Sequence, residues 1–274
     1  MLVAIDCEFV SVGKEEAEIT ADGRRVIRRA RQLRLARVSL LDCRNPMGEC
    51  FLDDYCIPSE PVVDYLTRFS GLKPEDLDPA ASRHHLVTLK QTYLKLRWLA
   101  DNGAVFVGHG LDNDFHTCNL YIPREQIIDT VHLFHLPGRR MFSLRFLSAY
   151  LLRANIQSAG SEGHDSIEDA RAALLLYRKY AEVRHGVPAV MDMMQLGLDT
   201  GPAGALSPGG ALGAAAAPPP EAGERHFMKA MQALYDEGRK CSWRADNVES
   251  IVGFRNSMVR CLADVAFVCC GRTD

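Results

Sequence analysis

No apolar run in this chain comes near the length of a membrane span, and Met1 leads straight into a strand pattern without a basic leader or a small-residue cleavage site. A membrane-spanning or secreted protein is therefore not expected; an intracellular one is, in the cytoplasm with the nucleus as a second compartment. The nine cysteines are scattered, with no C-x-x-C pair and one vicinal pair, Cys269-Cys270. That spacing suggests neither a zinc ribbon nor a disulfide framework, and it fits reduced thiols. Positive charge is also in deficit: the net charge is −3, which argues against bulk electrostatic capture of nucleic acid. What remains is an ordinary globular composition, 47% hydrophobic and 24% charged, in 274 residues that can bury one good core plus appendages.

The stretch Leu2-Val3-Ala4-Ile5-Asp6-Cys7-Glu8-Phe9-Val10 is apolar on both sides of its alternation, the mark of a central strand. A side-chain period of two puts Asp6 and Glu8 on one face. Two carboxylates there would raise each other's pKa, as would desolvation, unless a hard divalent cation neutralises them. Taken alone, the pair fits equally well two acids at a strand end facing water.

After a turn at Ala21-Asp22-Gly23, Leu33 to Leu41 reads as a second strand and Cys50 to Tyr55 as a third, an antiparallel meander. The arginines from Arg24 to Arg37 read as a solvated hairpin and edge strand, or as a local basic patch. Val62, Tyr65, Leu66 and Phe69 share a helical face, and Leu86, Leu89, Tyr93, Leu96 and Leu99 form the stripe of a helix from His85 to Ala100. Ala104 to Gly108 is a short strand of the parallel type, Ile127 to Val131 another strand-like piece. This order predicts a mixed sheet with helices packed on it.

Directly after Gly108 a helix begins, and the spacing of Leu111, Phe115 and Cys118 places Asp114 on its inward face and Asp112 with His116 outside. His109, Asp112 and His116 could alternatively form a surface zinc site, without a fourth ligand. Ser143 caps a helix through Leu144, Leu147 and Leu151 with Arg145 on its exposed side, and Arg139, Arg140 and Arg145 beside a Gly turn could hold phosphates. Asp165 and Glu168 read as a capping box, so a helix starts at Ser166 with Ile167, Ala170, Leu174 and Tyr177 inward. Asp169 falls in its first turn. His164 lies just outside it, on a loop mobile enough to reach a site and suited to taking a proton near neutral pH.

Together, D-x-E at Asp6 and Glu8, a later Asp114, and His164 followed at the fifth position by Asp169 resemble the DEDDh 3′–5′ exonuclease superfamily, RNase T-like. The resemblance implies an α/β, ribonuclease-H-like fold: a five-stranded mixed sheet, three strands of antiparallel meander plus parallel strands, flanked by helices. It further implies that Asp6, Glu8, Asp114 and Asp169 hold two Mg2+ ions, or Mn2+, and that His164 is the general base. Gly71-Leu72-Lys73-Pro74-Glu75-Asp76-Leu77-Asp78, Asp129-Thr130-Val131-His132-Leu133-Phe134-His135 and Ser143-Leu144-Arg145-Phe146-Leu147 carry a more specific resemblance, to the nuclease domains of the catalytic subunits of Pan poly(A)-deadenylation complexes. A magnesium-dependent 3′–5′ exoribonuclease that shortens mRNA poly(A) tails and releases 5′-AMP is the function this implies. Its substrate would be a single-stranded RNA 3′ end, with Phe9 stacking a base and Arg145 near a phosphate. Members of that family usually carry a propeller and a ubiquitin-hydrolase-like domain upstream. This chain opens at the first nuclease strand, so a partner deadenylase subunit is expected only where those domains accompany it.

The domain reading is a nuclease over residues 1–186, an Ala/Gly/Pro-rich linker over 187–224, and a C-terminal helix and tail over 225–274, the helix marked by Phe227, Met231, Leu234 and Tyr235. Rival readings are a DEDDh nuclease for other short RNA or DNA ends and a catalytically silent RNA-binding module.

Overall fold

A computed structural model describes residues 1–157, 163–185 and 220–243. Most of the linker segment and the tail beyond Trp243 lie outside them. None of the helices among the described residues is long and apolar enough to cross a membrane. The chain forms two compact units, Met1–His135 with Arg140–Tyr177, and Leu136–Arg139 with Arg178–Asp274.

In chain order the first unit runs β1 (Leu2–Gly13), β2 (Glu16–Ile19), β3 (Arg25–Arg29), β4 (Gln32–Asp42) and β5 (Glu49–Ile57). It continues with α1 (Thr67–Ser70), α2 (Pro74–Leu77), β6 (Leu86–Thr88), α3 (Leu89–Asp101), β7 (Val105–Gly108), α4 (Leu111–Thr117), β8 (Ile127–Asp129), α5 (Thr130–Leu133), α6 (Leu144–Leu147) and the part of α7 (Ser166–His185) up to Tyr177. The main sheet has the order β6-β5-β4-β1-β7-β8. β4 is antiparallel to β1 and β5, whereas β7 runs parallel to β1, β6 to β5 and β8 to β7.

β1 is interior, as its apolar alternation requires, and each of its faces finds a different helix. Val3, Ile5 and Cys7 join Leu96, Phe106, Leu111 and Phe115 in one core cluster. Ala4 packs with Leu41, Ala170 and Leu174 in another. The alternation from Ala4 carries Asp6 and Glu8 onto the face that α7 covers, and the β1–β4 register runs without a shift through Glu8; the first irregularity follows it, where Ala36 of β4 is the extra residue opposite the Glu8–Phe9 step. An irregularity at that point leaves the two acids in register, and β1 stays paired with β4 as far as Gly13.

The sheet has six strands, not five, because Leu86–Thr88 is a strand inside what reads as a helix. Its apolar letters satisfy either period, and the start of α3 is decided by a capping box: Thr88 Oγ1 accepts from Gln91 N (3.3 Å) and Gln91 Oε1 from Thr88 N (2.8 Å). The inward face of α3 is accordingly Thr92, Leu96, Leu99 and Ala100, with Leu89 exposed. β4 is not an edge strand but lies between β5 and β1. The hairpin reading holds for β2 and β3, a separate exposed pair. There Arg25 meets Glu15 at 2.5 Å, Arg28 meets Glu18 at 2.6 Å and Arg29 meets Glu16 at 3.8 Å, so the basic run is largely balanced by its own acids.

Around Val62 the helix expected from spacing shrinks to the single turn α1. Ser11 and Asp64 form an antiparallel bridge that keeps the chain extended until Leu66, and Phe69 is left 60% exposed. In the second unit, α8 (Pro220–Lys240) starts inside the segment that composition assigns to the linker. It buries Ala230, Met231, Leu234 and Tyr235; Tyr235 Oη accepts from Leu136 N at 3.2 Å, and Tyr180 meets Phe227 edge-on at 5.4 Å.

Candidate active site

Asp6 and Glu8 come from the interior strand, and their surroundings show what such placement does to an acid. Burial pushes the Glu8 carboxyl up to about 9, reinforced by Asp169 and Asp114 and opposed by Arg37. Asp6 is likewise raised well above the carboxylate range, by burial first and then by Glu8, Asp169 and Asp114. These carboxyls crowd one another from three separated parts of the chain.

Asp114 is delivered by the tight β7–α4 junction. A side chain at Gly108 would strike Leu111 at 2.3 Å and the Ile5 carbonyl at 2.9 Å, so glycine there lets α4 begin against β1. Asp129 then ties down the helix start by accepting from Gly110 N and Leu111 N, both at 2.9 Å. Asp114 is half-buried and its carboxyl is raised to about 7, by burial and then by Asp129. Asp112 points outward, 3.9 Å from His132. The zinc alternative does not form: His109 Nδ1 contacts Thr130 Oγ1 at 2.9 Å and its Nε2 contacts the Phe142 carbonyl at 3.2 Å. Both ring nitrogens are taken.

His164 and Asp169 come from the start of α7. The loop is anchored rather than loose, since His164 N donates to the Phe69 carbonyl at 3.1 Å. Gly71, at φ +67°, lies so close beneath that a Cβ would meet the His164 carbonyl at 2.3 Å. Gly71→Ala is thus expected to displace the loop and to destabilise the fold by roughly 1–3 kcal/mol, read as a drop in melting temperature. A loss below about 0.5 kcal/mol would show that the loop yields freely.

Asp165 Oδ1 accepts from Ile167 N at 3.1 Å, the expected cap, while Glu168 reaches the backbone N–H of Gln157 at 3.4 Å. Arg37 spans the sheet to this helix start, with Asp53 at 2.8 Å and Asp165 at 3.1 Å, and Ser39 Oγ meets Ser166 Oγ at 2.5 Å in the buried seam between them. Asp169 is 3% exposed. Its Oδ2 lies 3.3 Å from His164 Nδ1 and accepts from Gln157 Nε2 at 2.6 Å. Its Oδ1 is buried and has no hydrogen-bond partner among the described residues.

Glu8, His164 and Asp169 each offer a ligand atom within 4.8 Å of the others. Asp6 and Asp114 stand close enough to shift or be shifted by this cluster. The raised carboxyls of Asp6, Glu8 and Asp114, with Asp169 Oδ1 unpartnered among the described residues, suit a hard divalent cation: it would neutralise the repulsion and engage that oxygen. Phe9 is partly buried against the core on the opposite face of β1, and Arg145 is half-buried in α6 instead of lying on its exposed side. Arg139 and Arg140 are exposed.

Arg37, Asp129 and Gln157 were not legible as site residues. Arg37 reads as one of a run of arginines, and only its pairing opposite Glu8 across β1 and β4 distinguishes it. Asp129 sits at the end of a short strand, where a following Thr-Val-His-Leu turn was the available sign of a capping acid.

Comparison with known proteins gives a consistent result. The RNase T exonuclease family model matches residues 3–177. The PAN2-PAN3 deadenylation complex catalytic subunit PAN2 of Gallus gallus is 45% identical over 250 residues, covering 91% of this chain and 18% of the relative. The subunit of the same name from Cryptococcus neoformans is 53% identical over 183 residues, covering 66% of this chain and 15% of the relative. The chain thus spans under a fifth of the length of the curated relatives it matches. Among solved structures, the Saccharomyces cerevisiae apo Pan2 pseudoubiquitin hydrolase-RNA exonuclease module in complex with A7 RNA superposes with a TM-score of 0.62 at 36% identity, covering 89% of this chain and 32% of that one.

Proposed function

Because the chain belongs to the RNase T exonuclease family, we propose that it removes nucleotides from the 3′ end of poly(A) tails on mRNA, hydrolytically and with divalent cations, releasing 5′-AMP. The observation that carries this reading is the convergence of Glu8, His164 and Asp169, with Asp6 and Asp114 beside them and Asp169 Oδ1 unpartnered among the described residues. Support for poly(A) comes from the relatives, which are named as catalytic subunits of a deadenylation complex.

Asp6, Glu8, Asp114 and Asp169 would hold two Mg2+ ions, or Mn2+. Such ions supply Lewis acidity at the scissile phosphate and lower the pKa of water. The protein's own part is to keep the site dry and ordered. Arg37 opposes the effect of burial on Glu8 and Asp6, favouring their ionised, ligand-ready forms. His164, with Nδ1 beside Asp169, keeps Nε2 for the proton of the attacking water. Phe9 and Arg145 are the proposed contacts to a terminal base and a phosphate.

The proposed nuclease covers residues 1–186, followed by a linker to about 224 and a C-terminal helix and tail. Its compartment is the cytoplasm, in keeping with an mRNA substrate and with free cysteines at all six described positions. A partner deadenylase subunit is the proposed protein partner, on the strength of relatives named as catalytic subunits of the PAN2-PAN3 deadenylation complex.

The test is a denaturing gel of end-labelled oligo(A), mixed-sequence RNA and DNA, with Mg2+ and with chelator. Mg2+-dependent stepwise shortening of oligo(A) in preference to the others is the expected result, with His164→Ala slowed about 10²–10⁴-fold. Equal digestion of all three substrates would point to a nuclease of general 3′ ends, and no shortening would overturn the catalytic reading.

A further inference from the structure

A carboxylate on a short side chain turns about a broad, roughly two-fold terminal torsion, so neither oxygen of a buried aspartate is aimed unless something holds the other. At Asp169 the two oxygens are sorted. Gln157 Nε2 donates to Oδ2 at 2.6 Å and His164 Nδ1 lies 3.3 Å from the same atom, while Oδ1 is buried without a partner among the described residues. Gln157 is itself held in place. Its neighbour Ile156 is buried, its own N–H reaches Glu168 Oε2 at 3.4 Å, and its backbone takes the left-handed conformation, φ +50°, that side-chain-bearing residues seldom adopt.

We propose that Gln157 is a positioning residue for the nuclease reaction: its side-chain amide fixes Asp169 Oδ2 and thereby presents Oδ1 to the divalent cation. The inference rests on the reading that Asp169 is a cation ligand. Groups that hydrogen-bond to ligands from outside the coordination sphere set ligand orientation, and losing one typically weakens metal affinity by about 10–100-fold. Gln157 does this from outside the D-x-E, D and H-x4-D positions.

The experiment is calorimetric titration of the metal-free protein with Mn2+, without RNA, for the parent, Gln157→Met and Gln157→Gly. Met keeps the length and removes the donor; Gly removes the donor and relaxes the left-handed backbone, so it decides the matter if the Met protein does not fold. Both variants are expected to bind Mn2+ at least about ten-fold more weakly. Oligo(A) shortening by them should be slow at limiting Mn2+ and recover as Mn2+ is raised, with KM for oligo(A) unchanged. Mn2+ affinity within two-fold of the parent in either folded variant would overturn the proposal. A parent that binds no Mn2+ would instead remove the cation reading, and this inference with it.

Discussion

Asp6→Asn is expected to lower the rate of oligo(A) shortening by about a thousand-fold or more, some 4 kcal/mol of barrier, without unfolding the protein. The loss follows from the placement of Asp6 on the face of β1 that it shares with Glu8, where it is one of the acids proposed to hold the cations. The retained fold follows from the same placement. Burial and three neighbouring acids push the Asp6 carboxyl well above its ordinary range, so without metal its neutral form is favoured, and asparagine imitates that form. In chelator the melting temperature of the variant should therefore equal or exceed that of the parent, with the gain growing as pH rises. Added Mg2+ should stabilise the parent more than the variant. A variant that unfolds in chelator, or that shortens oligo(A) at the parental rate, contradicts the assignment.

In chelator, stability is expected to fall as pH rises from about 5 to 9, on the order of a few kcal/mol in total, or roughly 5–10 °C in melting temperature. Glu8 is raised from 4.5 to about 9 and Asp114 from 3.8 to about 7, so the folded state binds their protons more tightly than the unfolded chain does. Their contribution is fully present below the unfolded values and is lost as pH climbs through the folded ones. Divalent cations should flatten or reverse the slope, because they take the place of those protons. Glu8→Gln should remove much of it even without metal. Melting curves at pH 5, 7 and 9, with and without Mg2+, read this directly. Stability in chelator that rises across the same range would show that the acids are not packed together as described.

Much of this architecture is legible from periodicity. Two-residue spacing puts Asp6 and Glu8 on one face, helical spacing separates Asp114 from Asp112, and a cap at Asp165 starts α7 so that Asp169 lands in its first, buried turn. What periodicity cannot convey is which groups meet across the fold. Arg37 resembles its neighbouring arginines until β4 pairs with β1, and Gln157 precedes its partner by 12 positions in sequence. β6 escaped for a different reason. Its three residues satisfy a helical stripe as well as a strand, and only the Thr88–Gln91 box, a local signal that was present, separates it from α3. Phe69 was misplaced because the Ser11–Asp64 bridge, a long-range contact, overrides the local helical spacing.

The most direct measurement is an anomalous difference map from a crystal of the protein soaked in Mn2+. Density between the carboxylates, about 2.1 Å from oxygens of Asp6 and from Asp169 Oδ1, is the predicted result. Manganese bound elsewhere, or none at these residues at millimolar concentration, would contradict the claim that acids from three distant stretches of the chain converge to hold a catalytic cation.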